Sequence, residues 1–166
     1  MGLLGETKPV KKPILGVSLY PEQESMEEIE NYLTMASRYG FTKIFTSMFS
    51  VPGTKEEVFD YFQNFCDLAH KHGMKVSGDC NTAFFKKMGA SESDISIFKE
   101  MGIDIIRMDL PYFDQRDVTL INNPYNITIE LSSCMIQAVR MALENGANPK
   151  NFSTCHNFYP ERYTAS

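Results

Sequence analysis

The sequence contains no window of 18 apolar residues, the length a membrane-spanning helix needs, so a transmembrane helix is excluded. It is also short of positive charge: 16 Lys+Arg stand against 21 Asp+Glu, a net charge of −5. A sequence-independent grip on a phosphate backbone needs a clustered basic surface, so nucleic acid is not an expected partner. The four cysteines, Cys66, Cys80, Cys134 and Cys155, form no CxxC pair and no zinc-ligand spacing. They read as unlinked thiols in a reducing compartment, and neither a metal nor a cofactor is expected. The opening residues MGLLGETKPVKKP lack the 7–15-residue apolar core of a secretory signal, which points to the cytoplasm and to no membrane attachment. Glu6 stands where N-myristoylation wants Ser or Thr.

What is present is 166 residues, 43% of them hydrophobic, enough chain to bury a sizeable core. Short apolar runs alternate with helical periodicity along the whole length. Strands are predicted at Pro13–Tyr20, Thr42–Met48, Met74–Cys80, Ile103–Leu110, Ile127–Ser132 and Asn151–Phe158. Helices are predicted at Ser25–Tyr39, Lys55–His72, Ala83–Met101 with a break near Gly89, a short one around Asp114–Ile121, and Cys134–Asn145. Ser25 with Glu28 makes a capping box, and Gly40, Gly73, Gly102 and Gly146 stand where helices end. Six strand-then-helix units, the last without its helix, imply parallel pairing with right-handed crossovers, an α/β fold.

Two architectures fit this order, an open doubly wound sheet and part of a (β/α)8 barrel. Strands of a sheet covered on both faces are apolar on both faces. Here one face carries Ile106, Met108 and Leu110 while the other carries Arg107 and Asp109; Ile127, Ile129 and Leu131 oppose Thr128, Glu130 and Ser132. A period of two with polar residues gathered at C-terminal strand ends is the pattern of a barrel interior at its mouth. No GxGxxG follows the first strand, which weakens the dinucleotide-binding alternative. The expected fold is therefore an incomplete (β/α)8 barrel of about six βα units.

In a barrel, Ser18, Tyr20, Asp79, Arg107, Asp109, Glu130, Ser132 and His156 converge on one mouth. Facing carboxylates are the equipment of a glycosidase, where one acid protonates the leaving oxygen and a second carboxylate attacks or activates water. Asp109 and Glu130 are the candidate pair. Arg107 either holds a carboxylate ionised or binds an anionic substrate group, and His156 is a candidate substrate contact. The same residues also fit a structural charge ladder, and Asp79 also fits a cap on the following helix. His70 and His72 suit a helix C-terminus. An aldolase or isomerase on this scaffold wants a Schiff-base lysine or a metal triad at strand ends; Lys43 and Lys75 sit at strand beginnings.

The runs LGVSLYPEQ at Leu15–Gln23, GIDIIRMDLPY at Gly102–Tyr112, NNPYNITIELS at Asn122–Ser132 and STCHNFYPERYT at Ser153–Thr164 resemble the 6-phospho-N-acetylmuramidase family. The resemblance implies a cytoplasmic bacterial glycosidase of peptidoglycan recycling, with an N-terminal barrel followed by a cyclophilin-like β domain. Such an enzyme splits 6-phospho-N-acetylmuramic acid from the sugar attached to it, so a phosphorylated muramyl disaccharide or glycoside is the expected partner. Carried over by position, Glu22, Asp79, Asp109, Asn123, Glu130, His156, Asn157 and Arg162 fall on family motifs at strand ends, with Tyr20 and Arg107 beside them as substrate contacts.

The resemblance divides the chain into an N-terminal extension, 1–12, and the N-terminal portion of the barrel domain, 13–166. A complete barrel needs about 250 residues. The last two βα units, the loops that commonly bind phosphate and the second domain are thus expected to be absent, and activity of the chain alone is not expected. Open parallel edges would favour self-association. The alternative is a non-catalytic phosphosugar-binding or structural fragment of a barrel.

Overall fold

The structure, a computed structural model, describes residues 14–108, 115–131 and 136–154. Its strands are β1 (Gly16–Ser18), β2 (Lys43–Ser47), β3 (Lys75–Asp79), β4 (Ile105–Met108), β5 (Thr128–Leu131) and β6 (Phe152–Thr154). Its helices are α1 (Met26–Arg38), α2 (Lys55–Lys71), α3 (Thr82–Met88), α4 (Ser96–Glu100), α5 (Gln115–Ile121) and α6 (Ile136–Glu144), with a 3-10 turn at Pro21–Gln23. All strands pair in parallel in the order β1-β2-β3-β4-β5-β6.

That order decides the architecture. Each right-handed crossover that advances to the next strand on the same side leaves its helix on the same face, so the helices gather on one face and the sheet curls. A doubly wound sheet must reverse direction once, and this one does not. The incomplete-barrel expectation therefore holds, with six parallel strands forming one open sheet.

Strand parity sorts the residues by face. Ile44, Val76, Ile106 and Ile129 are fully buried in a core shared with Ile29 and Leu33 of α1 and with Val58, Phe62, Phe65, Cys66 and Ala69 of α2. The opposite parity carries Lys43, Phe45, Ser47, Ser77, Asp79, Arg107 and Glu130 toward the concave interior. On α2 Phe65 is completely buried while Phe59 is only partly so, and Tyr32 on α1 remains 36% exposed.

Local signals explain where helices begin and end. Ser25 Oγ accepts from Glu28 N while Ser25 N donates to Glu28 Oε2, completing the expected capping box. Thr54 and Glu57 form a second box at the start of α2. The expected break after α3 is real: Gly89 takes a left-handed conformation (φ 74°) and a tight Ser91–Asp94 turn leads into α4. Gly102 is the most demanding of the helix-ending glycines, because at φ 86° an added Cβ would lie 2.9 Å from Cys66 Cβ.

Candidate active site

Ser47, Asp79, Arg107, Glu130 and Ser153 occupy one hydrogen-bonded register row across β2 to β6, near the C-terminal ends of their strands. Asp79 and Arg107 are adjacent in that row, and Arg107 Nη1 donates to Asp79 Oδ1 at 2.6 Å with both side chains largely buried. Asp79 does not cap α3. Asn81 does, its side chain accepting from Phe84 N at 2.8 Å, which leaves the Asp79 carboxylate to the interior.

Glu130 is 4% exposed and forms an ion pair with Lys43. Lys43 starts β2, and β3 and β4 lie between it and β5, so the pair spans the concave interior. Strands of an eight-stranded barrel tilt by about 36° with a shear of 8, so a row followed through hydrogen bonds shifts by about one residue for each strand crossed. Three strands away from β2, Glu130 has come level with the beginning of β2 rather than its end. Two ion pairs are thus formed on this face among the described residues, Asp79 with Arg107 and Glu130 with Lys43. Lys43 escaped the sequence reading because it was placed by its position along β2 alone. Its parity with Phe45 and Ser47 was the available signal.

The remaining candidates are distributed unevenly. Glu22, in the turn after β1, accepts from Ser50 Oγ at 3.0 Å and so links the first two βα loops at the mouth. Its charge, after burial, helps push the Tyr61 phenol up to about 12. Tyr20 is 45% exposed and lines a cleft of about 370 Å³ with Gln23, Glu24 and Tyr32, on the β1 side of the sheet and away from Asp79 and Glu130.

Asn123 departs from its expected place. It lies in the loop that enters β5, at the end of that strand opposite to the mouth. Its Nδ2 donates to the Leu120 and Ile127 carbonyls, and its Oδ1 accepts from Tyr125 N and Ile127 N. Its side chain shapes that loop, where Asn126 adopts φ 58°. Asp109, His156, Asn157 and Arg162, with Ser132, lie outside the described residues.

Among the described residues no group of three or more His, Cys, Asp or Glu could hold a metal ion, and no helix is long and apolar enough to cross a membrane. Cys66 and Cys80 are free thiols, both pushed up by burial first and then by neighbouring carboxylates. His70, at the end of α2 as expected, meets Asp104 Oδ2 at 2.8 Å, and the same oxygen accepts from Val76 N at 2.9 Å.

A singly wound parallel sheet with an outer helical layer and charged residues on its concave face defines the (β/α) barrel class. Solved structures agree. An uncharacterized B. cereus protein superposes with a TM-score of 0.72 at 32% identity, covering 91% of this chain and 40% of that one. A conserved Enterococcus faecalis protein of unknown function gives 0.69 at 20% identity, covering 89% and 40%. A truncated 3-deoxy-D-arabino-heptulosonate 7-phosphate synthase from Thermotoga maritima, at 0.55 and 16% identity over 95% of this chain and 57% of that one, shares the fold alone. A search of the curated proteins found no match. Residues 15–165 match the family described as 6-phospho-N-acetylmuramidase, N-terminal, and the chain belongs to that family. It spans 40% of the length of the B. cereus and E. faecalis proteins.

Proposed function

We propose that this chain is the N-terminal part of the catalytic barrel of a cytoplasmic glycosidase of peptidoglycan recycling, which releases 6-phospho-N-acetylmuramic acid from the sugar attached to it. The family match over residues 15–165 supports the substrate class, and the observation that carries the chemistry is the buried Glu130 on the concave face of β5. In this reading Asp109 and Glu130 are the catalytic carboxyl groups, one protonating the leaving oxygen and the other attacking or activating water. Asp79, Arg107 and Glu22 are substrate contacts, together with His156, Asn157 and Arg162, while Tyr20 is a contact for a part of the substrate that reaches the cleft beside β1. Arg107 is suited to an anionic group because its planar guanidinium can serve Asp79 and a second acceptor at once.

The test is a chimera in which residues 15–165 replace the corresponding segment of a whole-length family member, assayed for release of 6-phospho-N-acetylmuramic acid from a 6-phosphomuramyl disaccharide. Turnover is expected, falling by about 10²–10⁴-fold in Asp109→Asn and in Glu130→Gln with an unchanged circular dichroism spectrum. A folded chimera that releases no sugar overturns the reading. The two ion pairs favour a second reading, a phosphosugar-binding or structural fragment, since each described interior carboxylate already has a cation. Its signature is binding of the disaccharide without turnover.

A further inference from the structure

We infer that Lys43 is a positioning residue for Glu130, holding its carboxyl group on the concave face in the orientation that the reaction at the anomeric carbon needs. This rests on the glycosidase reading above. The ammonium of lysine has donors and no acceptor. It therefore holds Glu130 Oε2 as an acceptor and fixes the direction in which the carboxyl group points.

The geometry is specific to a barrel. Only across a curled sheet can the first residue of β2 reach a residue of β5, and the Lys43 stem runs beside Gly16 of β1, where an added Cβ would sit in ordinary contact with Lys43 Cβ and Cγ at 3.5 and 3.6 Å. The Lys43 side chain is 21% exposed and that of Glu130 5%, so the pair is shielded enough for the ammonium to fix the carboxylate's direction. Ser77, fully buried on the same face of β3, has its hydroxyl without a hydrogen-bond partner among the described residues and is a polar group this interior can offer to an entering substrate.

An oxygen of one of the two carboxyl groups, or of a water that it deprotonates, forms the new bond to the anomeric carbon. The bond to the leaving oxygen breaks with its electron pair, and the other carboxyl group supplies the proton that makes that oxygen a hydroxyl; where the carboxylate itself attacks, water then cleaves the glycosyl ester and frees the sugar.

The experiment uses the same chimera with Lys43→Met, Lys43→Arg and Glu130→Gln, alone and combined. Lys43→Met is expected to lower kcat by about tenfold to a hundredfold with KM nearly unchanged, the scale of a misplaced catalytic group. Lys43→Arg is expected to recover most of that loss, and Lys43→Met combined with Glu130→Gln to be no slower than Glu130→Gln alone. Should Lys43→Met fail to fold, Lys43→Gln takes its place in the same comparison.

Full kcat in Lys43→Met, or a loss that arginine does not rescue and that adds to that of Glu130→Gln, overturns the inference while leaving the glycosidase reading intact. A parent chimera without turnover overturns both.

Discussion

Glu130 and Lys43 form a largely buried charged pair on the concave face, and removing one partner strands the other. Lys43→Met in the 166-residue chain is expected to lower its stability by about 3 kcal/mol, with Lys43→Met/Glu130→Leu losing less than the sum of the single changes, measured by urea denaturation. Tyr61 supplies a pH signature. Burial first, then the Glu22 charge, raises its folded-state value to about 12 from the ordinary 10.0 of a tyrosine. The neutral phenol is thus favoured by the fold, and the stability it lends is present below pH 10 and lost as pH rises through about 12. Phenolate absorbance should show late-titrating tyrosine, and Tyr61→Phe should remove the part near pH 12, leaving that of Tyr125, which its hydrogen bond to Asp94 also raises. The thiols of Cys66 and Cys80 are buried and raised, so a variant with Cys134→Ser and Cys155→Ser should react with a thiol reagent only on unfolding.

At the scale of elements, caps and chain reversals set the boundaries. Thr54→Ala removes a box that satisfies two backbone donors at the start of α2 and should cost about 1 kcal/mol in thermal or urea denaturation, a cost Thr54→Ser should largely avoid. Much of this level is readable from sequence, because caps depend on neighbours three residues apart. Ser25 with Glu28 announced α1, and Thr54 with Glu57 carries the same spacing. The Asp79 side chain was less readable. Whether it caps α3 or enters the interior depends on Asn81 taking the cap and on Arg107 arriving from the next strand, and only the second of those is a long-range event. Along α2 the rings of Tyr61, Phe62 and Phe65 pack on one another, and Phe62 and Phe65 are fully buried while Phe59 is only partly so, a choice of face set by what the helix packs on.

For the whole molecule, β1 and β6 are the ends of the sheet, each with one side unpaired among the described residues. Flanking β1 in the chain are Ile14, Leu15 and Tyr20, 45–75% exposed. An unpaired parallel edge flanked by such a patch predicts concentration-dependent self-association of the 166-residue chain in sedimentation experiments, reduced by Leu15→Lys. The alternation of six strands with helices, the apolar and polar faces of each strand and the family motifs were all fixed by the linear order of residues, because parity and periodicity are local. That order also sufficed for an incomplete barrel, since sequential parallel strands with one-handed crossovers have one way to curl. Which charges meet was decided by the tertiary structure alone. Barrel tilt turns distance along a strand into height, so a lysine at the start of β2 and a glutamate near the end of β5 become neighbours across the interior, while Asn123 is left at the opposite end from the mouth.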